Sequence, residues 1–158
     1  MNKIFPKKEP RIPFTQEGYD NLLTERAKLL SERPDAVEHL RLARGMGDLS
    51  ENGYYKASRQ RLSFLDSRIR RVERLLKLAV IVQSNNSGVV DIGSHVTISD
   101  GTKEYAYEVV GGYESDPSKH SVSHVSPIGR ALIDKKAGDE ITVHAPSGDK
   151  HFTIVMVH

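Results

Sequence analysis

The stretch "LSFLDSRIRRVERLLKLA", residues 62–79, decides what kind of fold this chain adopts. Its apolar side chains recur at alternating steps of three and four residues, and arginine and lysine occupy many of the positions between them. The seam positions are Leu62, Leu65, Ile69, Val72, Leu76 and Ala79. A heptad pattern of this kind is typical of a helix that packs along one seam against a second helix.

A similar pattern in an upstream segment predicts the partner helix. Its seam positions, several of them polar, are Tyr19, Leu23, Arg26, Leu30, Arg33, Val37, Leu40 and Arg44. Pro34 lies within this segment, so we expect the helix to kink or to restart there, because proline has no backbone N–H to donate. Gly45 and Gly47 follow, and glycine suits a helix C-terminus because it adopts the left-handed conformation without a Cβ penalty. We therefore predict an antiparallel coiled-coil hairpin with arms of about 45 Å.

The stretch "GMGDLSEN", residues 45–52, forms the tip between the two predicted helices. Its acids Asp48 and Glu51 are three residues apart, and this spacing has two interpretations. In the first, they form a capping box that satisfies backbone N–H groups at the start of the second helix. In the second, the two carboxylates face outward as ligands of a metal ion or of water. Capping is the more common role of this pattern, but the spacing alone leaves both interpretations open.

Composition and charge divide the chain into two modules. The 158 residues include no cysteine, which excludes disulfides and thiolate metal sites and is typical of the reducing cytoplasm. No signal-peptide pattern follows Met1, and no apolar run is long enough to span a bilayer, so we expect a cytoplasmic protein without a membrane partner. Residues 1–83 carry 17 Lys and Arg against 11 Asp and Glu, a net charge of +6, whereas residues 84–158 carry 6 against 10, a net charge of −4. The basic module is a candidate for binding a polyanion, although mixed charge more often marks a solvated helix face.

The second half of the chain changes from a helical period to a period of two. Five segments alternate in polarity and end at Gly, Pro, Asp or Asn, which predicts short strands within residues 94–100, 103–112, 120–127, 139–148 and 150–157. The segment "PIGRALIDKKAGD" predicts one short helix, with Pro127 at its entrance and Gly138 past its end. We therefore expect a small domain in which an antiparallel sheet packs on a single helix, so that the fold class is α+β.

Several motifs in a fixed order resemble a known family. They are "ERPDAVEHL" before the tip, "GDLSEN" at the tip and "SPIGRALIDKKAGDEITVHAP" in the last domain. Together they resemble the GreA/GreB family of bacterial transcript cleavage factors over residues 13–158. The resemblance implies a coiled-coil hairpin at residues 13–83 with its catalytic tip at 45–52, and a domain folded like an FK506-binding protein at residues 84–158. Residues 1–12 have no counterpart and are expected to be a flexible basic tail.

The resemblance also implies a function. A family member docks on bacterial RNA polymerase, inserts its coiled coil into the secondary channel and stimulates cleavage of the 3′ end of backtracked nascent RNA. Asp48 and Glu51 match the two acids that help to hold a Mg²⁺ ion jointly with the polymerase. The chain is thus expected to be an accessory factor rather than an enzyme, to act as a monomer and to bind no cofactor tightly by itself. The alternative is a relative that occupies the channel and inhibits without cleavage activity.

Further residues match family positions. Ser50 and Asn52 support the tip, most simply as helix caps, and Tyr55 either packs against the seam or stacks on a base. Arg44, Lys56 and Arg59 form a basic patch that the resemblance assigns to the 3′ segment of the RNA; the alternative is a solvated face. A final set of residues is expected to dock on the rim of the polymerase: Ser126, Pro127 and Ile128. The alternative for Pro127 is that it only starts the helix. We expect no prolyl isomerase activity in this domain, because an FK506-binding-like fold alone does not carry it, and the seven histidines show no spacing typical of metal ligands.

Overall fold

The computed structural model describes residues 10–46, 53–85, 87–146 and 148–158. The chain forms two compact units. One unit is Asp20–Leu78, and the other consists of Ala79–His158 with the residues up to Tyr19. The predicted α+β class is confirmed, since long helices are followed by a sheet domain. None of the helices in these ranges is long and apolar enough to cross a membrane.

The helical unit contains most of α1 (Gln16–Arg44) and all of α2 (Gly53–Leu78). Ion pairs cross between the two helices, from Arg26 to Glu73 and from Arg33 to Asp66. A later residue of α1 is therefore opposite an earlier residue of α2, which confirms the predicted antiparallel hairpin. Its apolar cluster consists of Leu29, Ala36, Leu65, Ile69 and Val72, with Leu22, Leu62 and Leu76 packed around it.

The seam predicted for α2 is confirmed, but the seam predicted for α1 is only partly right. Leu40 is buried as predicted, whereas the predicted positions Leu23, Leu30 and Val37 are wrong by one residue. Leu23, Leu30 and Val37 are exposed, at 43%, 39% and 40% of their surface. The positions that face α2 precede them and recur every seven residues: Leu22, Leu29, Ala36 and Ala43. Adjacent apolar pairs made the register ambiguous in the sequence. Alanine also contributes little to an apolar pattern in the sequence, because its side chain is small. In the structure, the same small side chain allows two helices to approach closely.

Two expectations about the course of α1 are also corrected in part. Of the two alternatives at Pro34, the helix does not restart but continues through it. Gly45 does not adopt the left-handed conformation, and Gly47 lies outside the described residues. Instead, the last turn tightens: the Gly45 N–H donates to the Leu42 carbonyl at 3.0 Å and the Met46 N–H donates to the Ala43 carbonyl at 3.3 Å. Such bonds over three residues satisfy terminal carbonyls without a left-handed cap.

The second unit contains a strand pair that the sequence did not indicate. β1 (Ile12–Phe14) pairs in parallel with β2 (Ala79–Ile81), so the chain segments before α1 and after α2 are hydrogen-bonded to each other. Ala79, predicted as the last seam residue, is therefore the first residue of a strand. The pair is non-local in sequence and each strand has three residues, which leaves no periodicity to detect.

The main sheet has five strands in the order β5-β4-β3-β7-β6. They are β3 (His95–Ser99), β4 (Glu104–Val110), β5 (Ser121–Ser123), β6 (Glu140–Ala145) and β7 (Gly148–Val157). All five predicted strands are confirmed. The sheet is mixed rather than fully antiparallel, because β5 pairs in parallel with β4 after a one-turn 3-10 helix at Pro117–Lys119. Its core side chains are Val96, Ile98, Val109, Ile141, Val143 and Ile154.

The helix α3 (Pro127–Leu132) covers this core with Leu132 but is shorter than predicted. The backbone becomes extended at Ile133 and left-handed at Asp134. The following residues then pair with another segment, since the Val90 N–H donates to the Lys135 carbonyl at 2.8 Å. This non-local hydrogen bond, which no local pattern shows, replaces the second half of the predicted helix.

Candidate functional site

The tip residues predicted to carry chemistry lie outside the described residues. This applies to Asp48, Ser50, Glu51 and Asn52, so their predicted roles stay predictions. Arg44 ends α1 and Gly53 begins α2, and these two positions lie on either side of the tip. Across the four described ranges, there is no group of three or more His, Cys, Asp or Glu residues that could hold a metal ion.

A hydrogen-bonded network joins the two helices close to the tip. The Tyr54 hydroxyl lies 2.7 Å from Nδ1 of His39, and their rings meet edge to face. Nε2 of His39 lies 3.4 Å from Asp35, whose carboxylate also pairs with Arg61 at 3.1 Å. His39 therefore links α1 to α2. Tyr55 is half-buried, which leaves both of its predicted roles open.

Basic residues in the middle of the hairpin are matched by acids on the opposite helix. Arg33 donates from Nε to Asp66 at 2.7 Å, and this hydrogen bond raises the pKa of the Arg33 guanidinium. Arg68 forms a further ion pair, with Glu25 on the opposite helix. These arginines, like Arg26 and Arg61, hold the helices together. Their charge is partly matched within the protein, which makes them poor candidates for binding an external polyanion.

The three residues of the predicted basic patch behave differently. Arg44, Lys56 and Arg59 are exposed, and none of them forms an ion pair with a residue in the described part of the chain. Arg44 ends α1, whereas Lys56 and Arg59 lie in the first two turns of α2. In an antiparallel hairpin these positions share the end that carries the tip. The three residues are therefore exposed toward the same end of the hairpin, and their role as a patch stays a prediction.

A groove beside this patch was missed by the sequence analysis. It has a volume of about 560 Å³ and is lined by Lys56, Arg59, Gln60, Ser63, Phe64 and Ser67. Phe64 is 60% exposed. The available signal was a phenylalanine outside the apolar seam of α2, in a chain with only 6% aromatic residues.

The predicted docking residues lie together at the start of α3. The Ser126 hydroxyl accepts from the Gly129 N–H at 3.1 Å and donates to the Ser123 carbonyl at 2.6 Å. Pro127 follows as the first residue of the helix, which confirms its predicted place at the helix entrance. Ile128 is half-buried and packs against the sheet core. Only Pro127 of the three is exposed, whereas Ser126 and Ile128 are half-buried.

The loop before α3 is held firmly and presents one more apolar side chain. Arg130 donates from Nε to the Val125 carbonyl at 2.8 Å. A Cβ at Gly129 would lie within 3.0 Å of the Ser123 backbone, so only glycine fits beneath the loop. Val125, which we did not predict as a site residue, is 48% exposed beside Pro127. The exposed apolar surface at this point therefore consists of Val125 and Pro127.

Comparison with known proteins defines the class of this chain. A family model described as "Transcription elongation factor, N-terminal" matches residues 12–81, and one described as "Transcription elongation factor, GreA/GreB, C-term" matches residues 84–158. Together they cover both the hairpin and the sheet domain. A two-unit protein with these matches is a transcription elongation factor of the Gre type.

Individual relatives agree with this class. The chain is 41% identical over 146 residues to the transcription elongation factor GreA of Macrococcus caseolyticus, with 90% of this chain and 92% of the relative covered. It is 39% identical over 155 residues to that of Geobacillus kaustophilus, with 94% and 98% covered. A crystal structure of GreA factor homolog 1 of Thermus thermophilus covers 94% of this chain and 99% of its own, at 24% identity and a TM-score of 0.45. The chain belongs to the GreA/GreB family, which confirms the resemblance.

Proposed function

We propose that this factor binds bacterial RNA polymerase in the cytoplasm, places its hairpin in the secondary channel and stimulates cleavage of the 3′ end of backtracked nascent RNA. The polymerase carries out the phosphodiester hydrolysis, and the factor contributes side chains to it. The observation that carries the proposal is the positive charge of Arg44, Lys56 and Arg59, which have no acid partner among the described residues, at the tip end of a hairpin from the GreA/GreB family.

Exposed cations near the tip support binding of RNA at this end. Arg44, Lys56 and Arg59 have no acid partner in the described ranges, and the same is true of Arg70, Arg71 and Arg74 further along α2. Arg26, Arg33 and Arg68, by contrast, are matched by acids on the opposite helix. Lysine and arginine contacts to phosphates give affinity without reading sequence, because they release the counterions that surround the nucleic acid. A factor that acts on any transcript requires affinity of this kind.

Asp48 and Glu51 are proposed to contribute carboxylate oxygens to a Mg²⁺ ion held jointly with the polymerase. Carboxylates suit this ion because Mg²⁺ prefers hard oxygen ligands and keeps several of its waters. Such an ion supplies charge stabilisation for the attacking and leaving oxygens of a phosphodiester. Ser50 and Asn52 are proposed to cap the helix that follows, which would hold the acids in place.

The start of α3 is proposed as the surface that docks on the rim coiled coil of the polymerase. Val125 and Pro127 provide exposed apolar area, and Ser126 and Arg130 hold their loop through hydrogen bonds. Ile128 packs against the core, so its contribution is to position the helix rather than to form most of the contact. Preorganised loops bind with a smaller entropic cost than mobile ones.

The test is an assay on a stalled, backtracked elongation complex that contains labelled RNA. We expect the factor to shorten the RNA from its 3′ end and to restore elongation. Blocked elongation without shortened RNA would instead identify an inhibitory relative that occupies the channel. If the RNA were not shortened and elongation were not blocked, the proposal would be overturned.

Docking is tested separately with two matched substitutions. Val125→Asp introduces a charge beside Pro127, whereas Val155→Asp introduces the same charge at a valine of similar exposure on β7. We expect the first to weaken binding to the polymerase about tenfold or more, since a charge in an apolar contact is poorly solvated. The second should leave binding unchanged. Equal effects of the two variants would contradict docking at α3.

A further inference from the structure

Phe64 is an exposed aromatic side chain on the polar side of α2. It is 60% exposed and does not belong to the apolar cluster of the hairpin, although its neighbour Leu65 does. A large apolar ring at such a position does not contribute to packing between the helices. Its exposure leaves the ring accessible to a binding partner.

The ring is held in place by contacts within the hairpin. The Arg68 guanidinium lies over the ring, 5.9 Å from its centre. Arg68 is in turn fixed by its ion pair with Glu25 on the opposite helix. A cation is attracted to the face of an aromatic ring, so Arg68 restricts the motion of Phe64. An aromatic ring held in this way loses little conformational entropy on binding. Phe64 is therefore preorganised as a flat contact surface.

The groove beside Phe64 has the chemistry of a nucleic-acid site. Two cations, Lys56 and Arg59, line it together with polar side chains, and no acid lines it among the residues that the structure describes. Phe64 is the single large apolar side chain among these described lining residues, whereas a surface for an apolar protein partner would present several. An aromatic ring next to unmatched cations is the arrangement that binds single-stranded nucleic acid, with a base on the ring and phosphates on the cations.

We propose that Phe64 stacks on a base of single-stranded RNA whose phosphates contact Lys56 and Arg59. This inference rests on the proposed function, because the RNA meant is the segment displaced by backtracking. Phe64 lies 11 residues after Gly53, the first residue of α2. That separation corresponds to about 16 Å along the helix, or about five stacked nucleotides. The ring is therefore reached by long displaced segments and not by short ones.

The experiment compares cleavage in two complexes, one with a displaced RNA segment of about three nucleotides and one with about ten. We expect Phe64→Ala to slow cleavage about fivefold or more in the long-segment complex and to leave the short-segment complex unchanged. Phe64→Tyr, which keeps the ring, should behave as the native chain in both. Circular dichroism of each variant is expected to match the native chain, because Phe64 lies outside the core.

Phe64→Leu separates stacking from apolar contact with a protein surface. It keeps most of the apolar area but has no aromatic face, so stacking on a base predicts the same loss as with alanine. Native-like cleavage by Phe64→Leu would overturn the proposal in favour of a protein contact, and so would an equal loss in both complexes. An unchanged rate for Phe64→Ala in both complexes would overturn it as well.

A second measurement does not depend on cleavage. Binding of a fluorescent single-stranded RNA of about ten nucleotides to the full chain is followed by anisotropy at low salt, where electrostatic contacts are strongest. We expect Phe64→Ala to weaken binding about fivefold and Phe64→Tyr to leave it unchanged. If the native factor stimulated no cleavage, the proposed function would fail, whereas equal RNA binding by the native and alanine chains would overturn the role of Phe64.

Discussion

Glu114 occupies the space that a side chain at Gly18 would need, since a Cβ added at Gly18 would lie less than 3.0 Å from its carboxylate. The same carboxylate accepts from the Thr15 N–H at 2.8 Å and from the Gly111 N–H at 2.9 Å. One acid thus joins the first turn of α1 to the loop after β4. The absence of a side chain at Gly18 is what allows this acid to approach.

A double-mutant cycle tests this relationship. Gly18→Ala should lower the melting temperature because its methyl group displaces the carboxylate, although alanine is intrinsically the better helix residue by about 1 kcal/mol. Glu114→Ala should destabilise by about 1–3 kcal/mol by leaving two backbone donors without their acceptor. In the Glu114→Ala background the space is free, so Gly18→Ala should become neutral or stabilising. Additive effects in thermal unfolding would contradict the steric relationship.

The register of the hairpin seam predicts a large difference between two adjacent leucines. Leu29 is buried against α2, whereas Leu30 is 39% exposed. Leu29→Ala should lower the free energy of unfolding by about 2–5 kcal/mol because it leaves a cavity. Leu30→Ala should change it by less than about 1 kcal/mol. Urea unfolding followed by circular dichroism measures both, and a reversed order would restore the seam that the sequence indicated.

Arg59 and Arg61 form a matched pair for testing the role of charge. Arg59 has no acid partner in the described ranges, whereas Arg61 pairs with Asp35. Arg59→Ala should weaken binding to the backtracked complex and reduce the salt dependence of the dissociation constant by about one unit of log–log slope. Arg61→Ala should leave that slope nearly unchanged. If both variants kept the native salt dependence, Arg59 would belong to a solvated face.

The tip acids are tested by substitutions that keep shape and remove charge. If Asp48 and Glu51 only cap a helix, Asp48→Asn with Glu51→Gln should cost under about 1 kcal/mol of stability and leave cleavage near normal, because asparagine is also a good cap. If they serve Mg²⁺, binding to the polymerase should persist while cleavage falls by orders of magnitude and recovers partly as Mg²⁺ is raised. The double variant should then compete with the native factor. Near-native cleavage by the double variant at low Mg²⁺ would contradict a role of these acids in binding Mg²⁺.

The turn between β3 and β4 predicts a pH-dependent stability. The Thr102 hydroxyl, with the N–H groups of Lys103 and Thr102, holds the pKa of the Asp100 carboxyl far below its usual range. A lowered pKa in the folded state stabilises the fold above the ordinary pKa of about 3.9, and this contribution is lost as the pH falls below it. The Asp100→Asn variant should therefore have a lower melting temperature than the native chain at pH 7. The difference should shrink between about pH 4 and pH 2, and a constant difference would contradict this role.

The sequence by itself determined the order and type of the long elements. The seam of α2 and the five strands each repeat an apolar pattern within one segment, and such patterns follow from the geometry of a helix or strand alone. The sequence also indicated Arg44, Lys56 and Arg59 as a candidate basic patch, because they match positions of a family motif, and this role stays a prediction. The sequence could not show whether an acid lies beside each cation, since that depends on which residues the opposite helix places there.

Only the tertiary structure decided features that depend on residues distant in sequence. Part of the α1 seam lies one residue earlier than the pattern indicated, because α2 packs against Leu29 and Ala36 rather than Leu30 and Val37. The β1–β2 pair and the early end of α3 follow from hydrogen bonds to segments far along the chain. Likewise Phe64 and Leu65 are adjacent apolar residues, but Leu65 is buried and Phe64 is exposed. Which side of α2 is buried depends on where the partner helix packs.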